Sequence, residues 1–376
     1  MNDSNNSSAF LPDSLWGNES LNGKKVFLVA GEASGDQHGS IWIQALKTKF
    51  SDCELLCWGG DKMQAAGAKL LSHYRDRNVM GLVEVLKNLK KIKGFMKQAQ
   101  ADIEREQPDK IIFIDNPGFN LPLAKFAHSL GIEVHWYIAP KAWAWNTRRI
   151  KTMKMVIDHL YVIFPFEVDF FAAYGMSSVY VGNPTNTAVT EYLKQVTAQI
   201  FEQKTIALLP GSRPTEVSSL LPSFIKAVQL REGIDVSIKV AGAPSLPREF
   251  YEKVLQESQL HAEIEFDKTF DILHAAAQSG GYALVASGTA TLETALLGCP
   301  QLVAYKVSPL TYIVGKYLFG IKYVSLVNIL LKRTAVQEIL QDVSAERLTQ
   351  GISLIDRNGT TIQNELRSQF KGTALQ

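Results

Sequence analysis

From Lys24 onward the chain alternates short apolar runs, which end in Gly, Asp, Asn or Pro, with longer amphipathic stretches. Runs of this kind suit strands of a parallel sheet, and the stretches between them suit the helices that join parallel neighbours. Lys25-Val26-Phe27-Leu28-Val29-Ala30 predicts the first strand. Lys110-Ile111-Ile112-Phe113-Ile114 and Val134-His135-Trp136-Tyr137-Ile138 predict further strands of that sheet. A second set begins at Thr205-Ile206-Ala207-Leu208-Leu209 and continues through Ser237-Ile238-Lys239-Val240-Ala241, Ala283-Leu284-Val285-Ala286 and Gln301-Leu302-Val303-Ala304-Tyr305. Gly182-Asn183-Pro184-Thr185-Asn186 lies between the sets and reads as a turn, the candidate hinge. The expectation is an α/β protein of two Rossmann-like doubly wound domains facing a cleft, with the ligand between them. The expected boundaries are a tail over 1–23, a first domain over 24–183, a second over 184–325, and a helical segment over 326–376 able to pack back on the first domain.

At 376 residues the chain exceeds the ~250–300 at which single cores stop growing, as two domains require. Hydrophobic residues make up 46% and charged residues 20%, a globular balance rather than a disordered or membrane-spanning one. With 39 basic against 37 acidic side chains, the overall field steers no nucleic acid toward the protein, so an anionic ligand must be met locally. Cys53, Cys57 and Cys299 are too few for a disulfide framework and lack a second close pair of Cys or His for zinc, so they are expected reduced and packed. Residues 1–23 are rich in Asn and Ser, without the basic start or apolar run of a signal peptide, and read as a solvated tail. No run approaches the ~18 apolar residues of a membrane span, so a cytoplasmic protein with peripheral membrane contact at most is expected. Two tandem α/β domains of this kind form the glycosyltransferase B architecture.

Two turns of the second set suit phosphate. Ser287-Gly288-Thr289-Ala290-Thr291-Leu292-Glu293 follows a strand and opens a helix, whose free N–H groups and dipole favour a diphosphate. Ser287 and Thr289 add hydroxyls, and Glu293, one turn in, can accept from a ribose diol. Alternatively the hydroxyls cap a core helix and Glu293 faces solvent. The second turn is Pro210-Gly211-Ser212-Arg213-Pro214-Thr215-Glu216. Here the fork of Arg213 can bridge phosphate oxygens and stabilise a departing nucleotide diphosphate, or else pair with Glu216 three residues on.

In the first set, Gly31-Glu32-Ala33-Ser34-Gly35-Asp36-Gln37-His38-Gly39 permits close backbone approach of a ligand, or is a helix-opening turn. Its glycines miss the G-x-G-x-x-G spacing, which argues against a nicotinamide cofactor. Asp115 ends an apolar strand before Asn116-Pro117-Gly118-Phe119-Asn120. Beside apolar neighbours its pKa can rise enough to take a proton from a sugar hydroxyl; equally, an Asp there can cap the turn. Between Leu86 and Ala101 stand five lysines and no acidic residue, with apolar residues at 82, 85, 86, 89, 92 and 96 near helical spacing. That suits a helix on an anionic membrane or over an acyl chain, although a core-facing helix with a solvated basic face reads alike. Trp143, Trp145, Arg148 and Arg149 crowd past a strand, where the rings stack on sugars or acyl groups, or simply fill the core, and the arginines can meet a phosphate.

Taken together, G-E-A-S-G-D at Gly31, I-D-N-P-G-F-N at Ile114, P-K-A-W-A-W at Pro140, L-P-G-S-R at Leu209 and S-G-T-A-T-L-E at Ser287 resemble lipid-A-disaccharide synthase in order and spacing. Phe164-Pro165-Phe166-Glu167 and Tyr323-Val324-Ser325-Leu326 extend the resemblance from Lys24 to about Gln341. It implies a UDP-2,3-diacylglucosamine donor, a 2,3-diacylglucosamine 1-phosphate acceptor, a β-1,6 link made with inversion, and no metal or redox cofactor. It also implies peripheral contact with the cytoplasmic face of the inner membrane. Asp115 then matches the base and Arg213 the residue serving the donor diphosphate. Substrate contacts are expected at Gly31, Glu32, Ser34, Gly35, Asp36, Asn120, Trp143, Trp145, Arg148, Gly211, Ser212, Glu216, Ser287, Gly288, Thr289, Ala290, Glu293 and Asn328. The chain departs from the family pattern at Gly118 (usually Asp), Asn146 (commonly Arg), Asn183 (usually His) and Val327 (usually Pro). Two other readings stay open: a UDP-sugar epimerase, which needs no acylated acceptor, and a non-catalytic nucleotide-sugar or lipid-binding module, which needs no base.

Overall fold

The chain divides into a unit ending at Pro184 and a unit from Thr185 to Gly372. The structure, a computed structural model, describes residues 20–77, 89–145, 147–197, 201–233, 235–306 and 322–370. In the first unit the elements run β1 (Lys25–Ala30), α1 (Ala33–Lys49), β2 (Glu54–Gly59), α2 (Asp61–Ala65), β3 (Lys69–His73), α3 (Leu89–Glu106), β4 (Lys110–Ile114), α4 (Pro117–Ser129), β5 (Glu133–Tyr137), α5 (Ala142–Trp145), α6 (Arg149–Val156), β6 (His159–Val162), α7 (Phe166–Ala173) and β7 (Val179–Tyr180). The strands pair in parallel in the order β3-β2-β1-β4-β5-β6-β7.

Side chains alternate across a strand, and here both faces are covered. Phe27 and Val29 of β1, with Ile111 and Phe113 of β4, enter one core with Ala99 and Ile103 of α3 and Leu123 of α4. Val26 and Leu28, with Ile112 and Ile114, enter the other with Trp42, Ile43 and Leu46 of α1. This explains why these strands read as unbroken apolar runs. Cys53, Cys57 and Cys299 are free and buried, as expected for packing residues.

The second unit follows from α8 (Pro184–Gln195) through β8 (Thr205–Leu209), α9 (Pro214–Glu232), β9 (Ser237–Gly242), α10 (Arg248–Glu257), β10 (Glu263–Phe266), α11 (Thr269–Gln278), β11 (Tyr282–Ala286), α12 (Thr289–Leu296), β12 (Gln301–Tyr305), α13 (Leu326–Leu331), β13 (Gln337–Leu340), α14 (Ala345–Ser353) and α15 (Gly359–Phe370). Its strands, again all parallel, take the order β10-β9-β8-β11-β12-β13.

The predicted strands are all present, with ends moved by a residue: β5 stops at Tyr137 because Ile138 turns into left-handed backbone. The short strands β2, β3, β6, β7, β10 and β13 went unread. One correction concerns 326–376, expected as helical. It also carries β13, which extends the sheet by pairing Leu302–Tyr305 with Gln337–Leu340. Four residues are too few to show a period beside two helices. α14 packs on α9 and α15 on α12, so the closing helices cover the second unit's own sheet.

Of the basic stretch over 82–97, residues 82–88 lie outside the described residues. Further on, Lys90, Lys91, Lys93 and Lys97 are exposed, Ile92, Phe95 and Met96 are half-buried, and Ala99 and Ile103 reach the core. Lys93, which the sequence puts within the apolar stripe, faces solvent. Among the described residues no helix is long and apolar enough to cross a membrane.

Gly281, just before β11, supports a direct prediction. A Cβ there would stand 1.8 Å from the carbonyl oxygen of Thr205, the first residue of β8, and this is backbone that cannot swing aside. Gly281→Ala should cost about 1–3 kcal/mol of stability through forced backbone shifts. An unchanged denaturant midpoint for the second unit would refute this close approach.

Candidate active site

Each sheet reverses its strand order once, between β1 and β4 and between β8 and β11. In doubly wound sheets the loops leaving two such adjacent strands diverge, and ligands bind outside the strands' carboxyl ends at that point.

In the first unit, β4 delivers Asp115 and Asn116, with φ of 47° and 45°, and the neighbouring β5 delivers Ile138 with φ of 62°. Left-handed backbone at residues other than glycine costs on the order of 1–3 kcal/mol each and is least tolerable for a β-branched residue, so neighbours must hold it. The Asp115 N–H donates to the Tyr137 carbonyl at 3.0 Å. Asn120 Nδ2 donates to the carbonyl oxygens of Asp115 at 2.8 Å and Ile114 at 3.3 Å. Facing this turn is Gly31, where a Cβ would stand 2.0 Å from Asn116 Nδ2, so any larger residue would push the Asn116 side chain aside. Asp115 is half-buried. Loss of water pushes its carboxyl up to about 6; Lys141 opposes this, Glu32 adds to it, and the Asn116 N–H opposes it.

Glu32 stands at the N-cap position of α1, and its carboxylate accepts from Ser34 Oγ at 2.9 Å. Gly35 packs on Ala30. Past β5, Trp143 is held by its indole N–H, which donates to Glu167 Oε1 at 2.8 Å. Glu167 Oε2 accepts from the N–H groups of Ile163 at 3.2 Å and Phe164 at 3.0 Å. Burial pushes the Glu167 carboxyl up to about 7 despite these donors. Trp143 meets Phe166 edge-on, with centroids 5.1 Å apart. Arg148 is exposed just before α6, and the side chain of Trp145 lies outside the described residues.

In the second unit, Gly211 has φ of 106°, and a Cβ there would stand 2.5 Å from Glu216 Oε2. Glu216 reaches back from the first turn of α9: Oε2 accepts from the Ser212 N–H at 3.2 Å and Oε1 from Arg213 Nη1 at 2.8 Å. Arg213 is thus paired with Glu216, but it is exposed, and such a pair is worth about 0–1 kcal/mol. Beside it, past β11, Gly288 and Thr289 are exposed and Ala290 is half-buried where α12 opens. Ser287 Oγ donates to the Val324 carbonyl at 2.7 Å. Burial pushes the Glu293 carboxyl up to about 7.

Three residues expected at substrate are instead spent on the backbone. Asp36 is buried and accepts from the N–H groups of Gly60, Lys62 and Met63 at 2.8, 3.1 and 3.0 Å, capping α2. Asn120, fully buried, holds the Asp115 turn. Asn328, also fully buried, donates to the Val336 carbonyl and Glu338 and accepts from the Ala335 and Val336 N–H groups, all within 2.9 Å. The Asn328 amide is saturated and has nothing left for a ligand, whereas Asn120 Oδ1 is buried with no hydrogen-bond partner. Lys141, Glu167 and Glu338 were not singled out by sequence. Glu338 ties down Val324 and Ser325 through their N–H groups. Lys141 and Glu167 stood inside the quoted motifs, and that was the available signal.

A family model described as lipid-A-disaccharide synthetase matches residues 26–371. The lipid-A-disaccharide synthase of Myxococcus xanthus is 36% identical over 345 residues, covering 88% of this chain and 88% of that protein. That of Syntrophus aciditrophicus is 36% identical over 359 residues, covering 92% of each. Among solved structures, the UDP-GlcNAc 2-epimerase of Methanocaldococcus jannaschii, in complex with UDP-GlcNAc and UDP, superposes with a TM-score of 0.57 at 14% identity, covering 93% of this chain and 100% of that one. The calicheamicin glycosyltransferase CalG4 superposes with a TM-score of 0.54 at 12% identity, covering 92% and 94%. At such identities the likeness is one of fold, that of two Rossmann-like domains.

Glu293 gives a prediction with a fixed sign. Its folded pKa of about 7 lies above the ordinary 4.5, so the folded state holds the proton more tightly and stability falls as pH rises between those values. Glu293→Gln should flatten that slope, gaining stability at pH 8 and little at pH 4, read from urea midpoints at both. An equal change at the two pH values would contradict the burial argument.

Proposed function

We propose, from the premise that this chain belongs to the lipid-A-disaccharide synthase family and makes the lipid A disaccharide by glycosyl transfer, that it moves 2,3-diacylglucosamine from UDP to 2,3-diacylglucosamine 1-phosphate with inversion. The observation that carries this reading is Asp115: a carboxyl raised to about 6, held in left-handed backbone at the carboxyl end of β4. A base with that pKa is ionised at neutral pH yet basic enough to take a hydroxyl proton.

On this reading Asp115 accepts the proton of the acceptor 6-hydroxyl as that oxygen attacks the donor anomeric carbon. The bond from that carbon to the diphosphate oxygen breaks, and UDP leaves. One base and one stabilised leaving group suffice for a single displacement, which yields the β-1,6 link. Arg213 exchanges Glu216 for the diphosphate, assisted by the N–H groups at Gly211, Ser212 and Gly288 to Ala290. Glu293 accepts from the ribose. Glu32 and Ser34 meet the acceptor near Asp115, while Trp143, Trp145 and Arg148 serve its acyl chains and phosphate. The exposed Lys90, Lys91, Lys93 and Lys97 support peripheral contact with the anionic cytoplasmic face of the inner membrane.

The reading is tested by UDP release from UDP-2,3-diacylglucosamine with and without acceptor. Asp115→Asn should lower kcat by about 10²–10⁴-fold, and Arg213→Ala by about 10²–10³-fold. Activity should fall as pH drops through about 6, the acid limb set by Asp115. Acceptor-independent release, or full activity without the Asp115 carboxylate, would return the epimerase and binding-module readings. Replacing all four lysines by Gln should weaken binding to anionic vesicles by about 1 kcal/mol per lysine; unchanged sedimentation with vesicles would remove the membrane contact.

A further inference from the structure

At the amino ends of the first sheet's strands, the edge away from Asp115, one sheet face carries a ladder of polar side chains. Lys110 opens β4, Glu133 opens β5 and His159 opens β6, and the register sets Lys110 beside Glu133 and His135 beside His159. Glu133 and His135, two apart on one strand, share a face. Glu133 Oε1 stands 3.0 Å from Nε2 of His135 and 3.0 Å from Nε2 of His159. The two imidazoles stack at 4.6 Å between centroids, and the three ligand atoms lie within 4.8 Å of one another. We propose that Glu133, His135 and His159 bind one divalent ion of the zinc, nickel or cobalt class, outside the transfer site.

Two imidazoles and a carboxylate suit those ions rather than magnesium or calcium. Ligand atoms about 2.0–2.2 Å from a tetrahedral ion lie roughly 3.3 Å apart, so both separations from Glu133 match to a few tenths of an ångström. The remaining His135–His159 edge closes by rotation of His159, whose side chain is 49% exposed and therefore free to turn. His135 is buried, with Nδ1 2.8 Å from the Tyr161 hydroxyl. A hydroxyl donates or accepts, so Nδ1–H can donate to Tyr161 while Nε2 turns its lone pair to the ion, the outer hydrogen bond that orients metal-bound histidines. The Lys110 ammonium bonds Glu133 Oε2 and leaves Oε1 for the ion. Its charge opposes a cation and limits the affinity. Because the ligands stand on adjacent strands, the bound ion clips β5 to β6 at their start.

The test titrates the chelator-treated full chain with zinc, followed by calorimetry and thermal denaturation. One equivalent should bind with micromolar affinity and raise the melting temperature. His159→Ala, at an exposed position that leaves the core intact, should weaken binding at least 10-fold, since loss of even an outer-shell partner of a ligand costs ~10–100-fold. Glu133→Gln should do the same, whereas His261→Ala, at an exposed histidine of the second unit, should leave binding unchanged. Absence of stoichiometric binding, binding indifferent to His159→Ala, or equal binding of magnesium would each overturn the site and leave a hydrogen-bonded charge cluster.

Discussion

Where β1 and β4 lie side by side, the chain leaves the sheet toward opposite faces, and no crossover passes over the sheet's edge at that point. The same reversal recurs between β8 and β11. Each reversal brings two loops together that are far apart in sequence: Gly31 meets Asn116 in one unit, and the Arg213 turn neighbours the Ser287 turn in the other. The candidate site of each unit follows from this constraint, and the backbone around Asp115 shows what it demands. Three left-handed residues at the ends of β4 and β5 stay in place because Tyr137 and Asn120 supply partners for the turn.

Carboxylates in this protein divide by what surrounds them. Asp36 meets three backbone N–H groups and therefore serves the fold. Glu167 has comparable donors but is buried so thoroughly that its proton is held to about 7, and it spends one oxygen on orienting Trp143. Asp115 and Glu293 are raised chiefly by burial. On the proposed reading both touch substrate, one taking a proton and the other accepting from a sugar. The exposure of each to a ligand decides its role, and residue type alone does not.

Much of this was legible in the chain. Parallel strands covered on both faces read as unbroken apolar runs, so β1, β4, β8 and β11 stood out, and the residue after each run named the loops at the reversals. Asp115 was found that way. The structural bonds of Asp36, Asn120 and Asn328 were not legible, because a polar residue in a ligand-like motif looks the same whether it faces a ligand or a backbone group across the fold. The amides answering Asp36 come from 60 to 63, and Asn328 is answered by Ala335 and Val336 just before β13 and by Glu338 within it, a strand too short to announce itself. Nor does a linear reading pair Glu133 and His135 with His159, because only the register of β5 and β6 sets them together.

The bond between Arg213 and Glu216 gives the turn over 211–216 a resting state of its own. An anion that takes the guanidinium must leave the Glu216 carboxylate without its cation, and that carboxylate also receives the Ser212 N–H. Capture is therefore a swap of partners on an already ordered loop. On the proposed reading the return of Glu216 competes with the anion that replaced it, which favours release as well as grip.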